Sequence, residues 1–236
     1  FLDNKGIPLA SGNQASGSSL TLAGLGEPMK THPHFVLLAA MLPVLAWSGW
    51  HPHDRTTWWL EVAPVFIGFI ALFMAQAKGW RLSHFALVFI GLHMTVLMVG
   101  GKYTYALVPA GEWVKESLGL TRNHYDRIGH IMQGLVPAIV CREIFIRNSV
   151  VAKRGWLGFL IVFFRMAVSA VYELLEWAAA LISIEASESF LGTQGDNWDT
   201  QNDMFCALIG AVFTVIVLRV PHDRSMRTVP APSIRG

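Results

Sequence analysis

Six long apolar segments dominate this chain and limit what it can fold into. A transmembrane helix needs about 20 largely apolar residues, with roughly 17 to 25 tolerated. Six segments meet or nearly meet that length, and they are His34–Trp50, Trp58–Ala77, His84–Gly100, Tyr125–Ile146, Trp156–Ile184 and Thr200–Leu218. The sequence therefore predicts an all-α protein, a polytopic bundle of about six transmembrane helices.

The composition favours a membrane protein and argues against nucleic-acid binding. Hydrophobic residues make up 53% of the 236 residues and charged residues only 14%, whereas a soluble domain carries about 25% charged residues. The net charge is +2 and no basic cluster with interleaved aromatic residues occurs, so nucleic acid is not expected as a partner. Cys141 and Cys206 lie in apolar segments, which predicts buried, reduced thiols.

The chain divides into three parts at the two ends of this apolar region. Residues 1–28 are polar and rich in Gly and Ser, and we interpret them as an upstream extension or a cloning remnant rather than a signal peptide or a folded module. Residues 29–220 form the six-span membrane domain. Residues 221–236 are expected to be a cytoplasmic tail.

The positions of Lys and Arg predict the orientation in the membrane. With a cytoplasmic N-terminus, ten of these residues fall in inside segments and four in outside loops, and residues 185–199 contain none. Cytoplasmic loops carry the excess of Lys and Arg, so both termini are expected inside and the acidic loop outside. The connection around Gly111–Leu120 is too polar to span and is expected to form an interfacial helix.

Polar residues recur at helical spacing in the last three spans, which places them along one stripe of each helix. Pro137 also removes the usual hydrogen-bond donor to the Gln133 carbonyl, so a kink or a bound group is expected there. The stripes are Asp126, His130, Gln133, Pro137 and Cys141; then Arg165, Ser169, Tyr172 and Glu176, with Glu173 on the next face; then Asp199, Asp203, Cys206 and Gly210.

The three stripes predict a polar, acidic site in the outer half of the membrane, because ionisable groups inside a bilayer are costly and mark function by default. An oxygen-rich set with one imidazole suits a divalent metal ion, the candidate cofactor. The metal ligands would be Asp126, His130, Glu173, Glu176, Asp199 and Asp203. The catalytic candidates are His130, Glu173 and Glu176, and the substrate-binding candidates are Arg127, Gln133, Arg165, Tyr172, Gln194 and Asp196.

A structural interpretation of the same charges stays open. Arg127 or Arg165 could neutralise a carboxylate on a neighbouring helix and so hold the bundle together. His93 is expected to be a hydrogen-bonded core histidine. The paired histidines at span ends are interpreted as interfacial residues rather than metal ligands, and they are His32, His34, His51 and His53.

Three blocks resemble the YjdF-like family of bacterial inner-membrane proteins: "RNHYDRIGHIMQGLVPAIVCREIFIR", "YELLEW" and "FLGTQGDNWDTQNDMFCALIGA". The resemblance runs from about Met29 to Leu218. It implies a multi-pass helical protein of the bacterial inner membrane and assigns no reaction to it. A weaker similarity to VanZ-like membrane proteins rests on a late acid–Gln–Asp–small-residue pattern. The family's motif positions fall on Tyr125, Asp126, Arg127, His130, Gln133, Gly134, Arg142, Glu143, Tyr172, Glu173, Glu176, Trp177, Gln194, Gly195, Asp196, Asp199 and Asp203.

Three functions fit these observations, and the sequence leaves open whether the protein is an enzyme. The first is a metal-dependent enzyme acting on a lipid head group. The second is a small carrier that uses the carboxylates for proton or cation coupling. The third is a non-catalytic subunit of a membrane complex. The expected partners are membrane lipid and, for the third function, other membrane-protein subunits.

Overall fold

The apolar segments form helices in the computed structural model, which describes residues 32–182 and 193–230. The described residues contain eight helices and no strand. Residues 1–31, which include the predicted extension, residues 183–192 and residues 231–236 lie outside them. The helices are α1 Pro33–Gly49, α2 Arg55–Ala77, α3 His84–Tyr103, α4 Pro109–Leu118, α5 Tyr125–Arg147, α6 Arg154–Ile182, α7 Asp199–Ile216 and α8 Arg219–Met226.

Four of these helices, α2, α3, α5 and α6, are long and apolar enough to cross a membrane. The helices α7 and α8 make a fifth candidate if they are taken as one span, bent by 59° at the break between them. Helix α1 is apolar but has only 17 residues. The all-α fold is therefore confirmed with four or five candidate spans, while the total of six stays a prediction.

Local sequence fixes where several helices begin. The Asp54 carboxylate accepts a hydrogen bond from the Thr57 backbone N–H at 2.6 Å, as an N-cap of α2 should. This hydrogen bond lowers the pKa of Asp54 below its usual range. The Ser83 hydroxyl caps α3 in the same way through the Ala86 N–H. Proline begins α1 and α4, where its missing N–H costs nothing.

Helix α5 lies against α7 at very short distance, and two glycines allow this approach. A Cβ atom at Gly134 would collide with the Ala207 carbonyl, and one at Gly210 would collide with the Ile131 carbonyl. The Thr214 hydroxyl adds a hydrogen bond of 3.0 Å to the Leu135 carbonyl of α5. This contact brings the acidic start of α7 beside the polar start of α5.

Two hydrophobic clusters complete the packing. One joins α1, α2, α3 and α5 around Val62, Val65, Met98 and Ile139. The other joins α5, α6 and α7 around Ala138, Cys141, Ile161 and Ala211. Both cysteines are free thiols; Cys141 is buried as expected, whereas Cys206 is only half-buried.

Two features differ from the sequence expectations. Residues Arg219–Met226 are helical, and His222 is fully buried although a tail was expected from residue 221. His34 is also buried, and its ring contacts the Leu72 carbonyl and accepts from the Leu82 N–H at 3.0 Å, so it ties α1 to its neighbours rather than lying at the interface. Helix α4 forms close to its predicted position and has no buried residue.

Candidate functional site

The three polar stripes turn inward and meet at one end of the bundle. On α6 the side chains of Arg165, Ser169, Glu173 and Glu176 are buried, while their neighbours Leu174 and Leu175 are exposed. On α7 the side chains of Asp199 and Asp203 are buried as well. A shared site requires that the three stripes face one another inside the bundle. They do so here, whereas stripes facing lipid or different sides of the bundle would have kept these groups apart.

Two arginines neutralise the acidic loop. Arg127 contacts Asp196 at 2.9 Å, Asp199 at 2.6 Å and also Asp203. Arg122 contacts Asp199 at 2.7 Å and Asp196 at 3.3 Å. The loop and α7 contain no basic residue near these aspartates, so the compensating charge comes from the start of α5. These ion pairs fix the loop to α5.

Asp196 lies outside the helices and has further partners. It accepts hydrogen bonds from the Trp198 backbone N–H at 2.9 Å and from the Asn202 side chain at 2.9 Å. The Trp198 hydrogen bond is the main reason that the pKa of Asp196 lies below its usual range, with Asn202, Arg127 and Arg122 adding to the effect. Asp196 therefore stays ionised as a partner of the arginines.

Asp126, His130 and Asp203 form the one group of potential metal ligands found among the described residues. Their ligand atoms lie within 4.8 Å of one another. His130 Nε2 is 3.4 Å from Asp126 and 3.7 Å from Asp203. His130 Nδ1 is 3.1 Å from Gln133 Oε1, and with that oxygen as acceptor Nδ1 carries a hydrogen and Nε2 faces the carboxylates. Metal-binding histidines are oriented in this way, by a hydrogen bond from the ring nitrogen that does not bind the metal.

The predicted six-residue ligand set is only partly assembled around that imidazole. Glu173 lies on the other side of His130, with Oε1 3.7 Å from Nδ1, and this buried oxygen has no hydrogen-bond partner among the residues that the structure describes. Asp199 is occupied by Arg122 and Arg127. Asp203 also contacts Arg127, but a carboxylate has two oxygens and can accept from arginine while offering a further ligand atom.

A cavity of about 190 Å³ lies beside the three-residue group, and we call it the polar cavity because several ionisable side chains line it. Its wall includes the acids Asp126 and Glu176, the cation Arg165, and Tyr172. It also includes His130 and Gln133, so six of the predicted site residues line one cavity. The volume is below the roughly 300–1,000 Å³ of sites for drug-sized ligands, which suits a small polar group.

Arg165 is the buried cation of this cavity. It is 3% exposed, and among residues 32–182 and 193–230 no carboxylate pairs with it. Its guanidinium donates to the Gln133 carbonyl, the group that Pro137 leaves without a helical donor. A kink or a bound group was predicted at this carbonyl, and in the structure a side chain of the protein itself supplies the donor. An arginine held in this way keeps further N–H groups for an anionic ligand.

An apolar cavity of about 650 Å³ adjoins the polar one. The two share four wall residues, Pro64, His93, Leu97 and Pro137. The apolar cavity continues along α2, α3 and α5 toward Trp80 and Phe145. The pair of cavities therefore offers a polar compartment with an apolar extension.

Three predicted residues lie elsewhere in the site. Gln194 accepts from the Asn123 N–H at 2.9 Å and donates to the Asn123 carbonyl at 3.0 Å, so its amide holds the loop in place. Arg127 and Asp196 belong to the ion-pair network described above. None of these three is among the residues that line the polar cavity.

Glu61 was not among the predicted site residues, and the surroundings of His93 differ from those predicted. Glu61 of α2 is 7% exposed and lines the polar cavity. Its signal was a single acid inside an apolar span, without a polar stripe around it. His93 lines both cavities, and its Nε2 is buried without a hydrogen-bond partner in the described part of the chain, contrary to the hydrogen-bonded core histidine expected.

Comparisons with known proteins agree with the resemblance seen in the sequence. The family described as "Predicted membrane protein (DUF2238)" matches residues 33–224. The inner membrane protein YjdF of Escherichia coli (strain K12) is 50% identical over 184 residues, which cover 78% of this chain and 88% of YjdF. No solved structure matches the chain. The chain therefore belongs to the YjdF-like DUF2238 family and is a multi-pass protein of the bacterial inner membrane.

Proposed function

We propose that the polar end of the bundle binds a divalent cation together with the head group of a membrane lipid, and that this end faces the outer side of the membrane. The observation that carries the proposal is the junction of the polar cavity with an apolar cavity about three times its volume, 190 against 650 Å³. An amphiphile has the same division, with a compact polar head and a long apolar chain.

The cation is assigned to Asp126, His130 and Asp203. Two carboxylates and one imidazole form a ligand set that zinc and manganese accept, and water or a substrate oxygen can complete the coordination. The two arginines that pair with the loop do not offset all the negative charge of this end, since Glu61, Glu173 and Glu176 are buried there too. A divalent cation offsets part of that charge.

The reaction that this arrangement favours is hydrolysis of a phosphate or ester bond in the head group. A bound divalent ion polarises such a group and activates water. Arg165 and Glu176 line the same cavity, so Arg165 would bind the anionic oxygen and Glu176 would accept the proton of the attacking water. Gln133, at 3.1 Å from His130 Nδ1, would orient the imidazole, and Glu173, at 3.7 Å from the same nitrogen, would add negative charge beside it.

Metal content tests the cation directly. Full-length protein, purified in detergent without chelator and incubated with zinc or manganese, is expected to bind about one equivalent by elemental analysis. The Asp126→Asn and His130→Gln variants are expected to lose most of it. Asp196→Asn is the matched control. Asp196 contacts Arg122 and Arg127, the arginines that also contact the ligand-group acids, but it is not a member of that group. Wild-type protein without metal, or equal content in all four proteins, would contradict the cation site.

Lipid retention tests the amphiphile separately. Ala71 lines the apolar cavity, so Ala71→Trp is expected to reduce the lipid that copurifies, measured by extraction and mass spectrometry. Ala39→Trp, at an exposed position of α1, is the control. Unchanged lipid in Ala71→Trp, with metal still bound, would leave a cation-coupled carrier as the better explanation.

A non-catalytic subunit is the second candidate, and one observation favours it. Arg122 and Arg127 pair with Asp196 and Asp199, as expected for charges that hold helices together. That function predicts wild-type protein without metal and partner proteins that copurify with it.

A further inference from the structure

A second, basic pocket lies at the other end of α5, away from the site described above. It has a volume of about 890 Å³ and is formed by the end of α5, the start of α6 and the bend between α7 and α8. Asp126 and Arg142 on α5 are 16 residues apart, which corresponds to about 24 Å along a helix. We call this second site the arginine pocket.

Five arginines and a single acid, Asp223, line the arginine pocket. Arg142 pairs with Asp223 at 2.7 Å, and Arg147 pairs with Glu143 at 2.8 Å. In the part of the chain that the structure describes, no carboxylate lies within ion-pair distance of the other three. The five arginines are Arg142, Arg147, Arg154, Arg219 and Arg227.

A buried network holds the walls of this pocket in place. Glu143 is fully buried and accepts from the Ser83 N–H at 2.8 Å, the Ser83 hydroxyl at 2.6 Å and Arg147. His222 Nε2 lies 3.1 Å from Glu143 and His222 Nδ1 lies 3.2 Å from Arg142. Since arginine can only donate, Nδ1 accepts and Nε2 donates to Glu143. The network links α5 to α8 and so positions Arg219 and Arg227.

The start of α6 adds to the positive potential. Arg154 is the first residue of α6, and Gly155 and Gly158 line the pocket without side chains. A Cβ atom at Gly155 would meet nothing within 4 Å, so the backbone there is open to a ligand. The first N–H groups of a helix have no partner within it and attract anions.

We propose that the arginine pocket binds a phosphate-bearing anion, with the head group of an anionic phospholipid as the first candidate source and a soluble phosphate compound as the second. Arginine recognises phosphate through paired hydrogen bonds, and basic pockets between membrane helices hold anionic head groups. The wall also contains apolar side chains that would contact the adjoining chains of a lipid, and they are Ile146, Leu157, Ile161, Val215, Val220, Met226 and Val229.

The test compares two probes on the full chain. Lipid binding is measured by native mass spectrometry with phosphatidylglycerol against phosphatidylcholine, and soluble binding by calorimetry with pyrophosphate in neutral detergent. The double variant Arg219→Gln/Arg227→Gln removes two exposed arginines that the buried network does not use. Arg224→Gln is the control, because Arg224 is exposed on the same helix but does not line the pocket.

Wild-type protein is expected to prefer phosphatidylglycerol, and the double variant to lose about tenfold or more in affinity, since each charged hydrogen bond carries about that factor. Arg224→Gln is expected to bind as wild type does. Loss of pyrophosphate binding alone would support the site with a soluble ligand. The proposal would be overturned if the double variant bound each probe as tightly as the wild type does. It would also be overturned if Arg224→Gln lost as much affinity as the double variant.

Discussion

Arg165 donates to the Gln133 carbonyl, which has no helical donor because residue 137 is proline. A buried carbonyl without a donor costs about 1–3 kcal/mol. Arg165 therefore has a structural role in addition to the ligand contact proposed for it. The same guanidinium fills a gap in the backbone hydrogen bonding of α5 and presents positive charge to the cavity.

This pairing predicts a coupling energy between Arg165 and Pro137. Arg165→Leu alone is expected to destabilise the protein through the unpaired carbonyl. In a Pro137→Ala background, residue 137 supplies an N–H to the Gln133 carbonyl. Arg165→Leu is therefore expected to cost less there than in the wild type, by about 1 kcal/mol or more. Unfolding free energies of the four proteins in one detergent measure this difference. Additive effects would show that Arg165 does not replace the missing donor.

At the scale of the element, the contact of α5 with α7 decides whether the site assembles. Gly134→Ala places a methyl group against the Ala207 carbonyl and is expected to destabilise the fold by about 1–3 kcal/mol. This is expected although alanine favours a helix by about 1 kcal/mol over glycine. Gly158→Ala, whose Cβ would lie 3.8 Å from Val215, is expected to be neutral or stabilising. Equal thermal stability of the two variants in detergent would contradict the packing argument.

The start of α2 gives a prediction with a defined pH dependence. The pKa of Asp54 is lowered by its hydrogen bond from Thr57. Its contribution is therefore complete above the pKa of the unfolded chain and is lost as the pH falls through the lower, folded value. Asp54→Ala is expected to cost about 1 kcal/mol at neutral pH and progressively less in acid. Thermal unfolding at several pH values measures it, and a pH-independent difference would argue against an ionised cap.

Periodicity in the sequence was sufficient to place the helices and the three stripes, because both follow from local spacing. It could not show which acids meet which arginines. That pairing depends on the short α5–α7 distance and on a loop anchored through Gln194 and Asn123. Glu61 was missed for the same reason, since it reaches the cavity only through the packing of α2. Helix α8 is polar, and its order comes from distant partners such as Glu143.

At the scale of the molecule, the described helices have two differently charged ends, and from the distribution of Lys and Arg we propose that these ends lie on opposite sides of the membrane. The acidic site should face outward and the arginine pocket inward, because cytoplasmic loops carry the excess of basic residues. This assignment also decides which leaflet supplies a ligand to each end. A lipid that enters the polar cavity would come from the outer leaflet, and an anionic head group in the arginine pocket from the inner one.

Cysteine labelling tests this orientation. In a Cys141→Ala/Cys206→Ala background, single cysteines are introduced as Glu116→Cys on α4 and Lys153→Cys before α6, both at exposed positions. A membrane-impermeant maleimide applied to intact spheroplasts is expected to label the first variant and to label the second only after lysis. The reverse pattern would place the acidic site at the cytoplasmic face. The proposed lipid would then come from the inner leaflet, while the geometry of both pockets would stay the same.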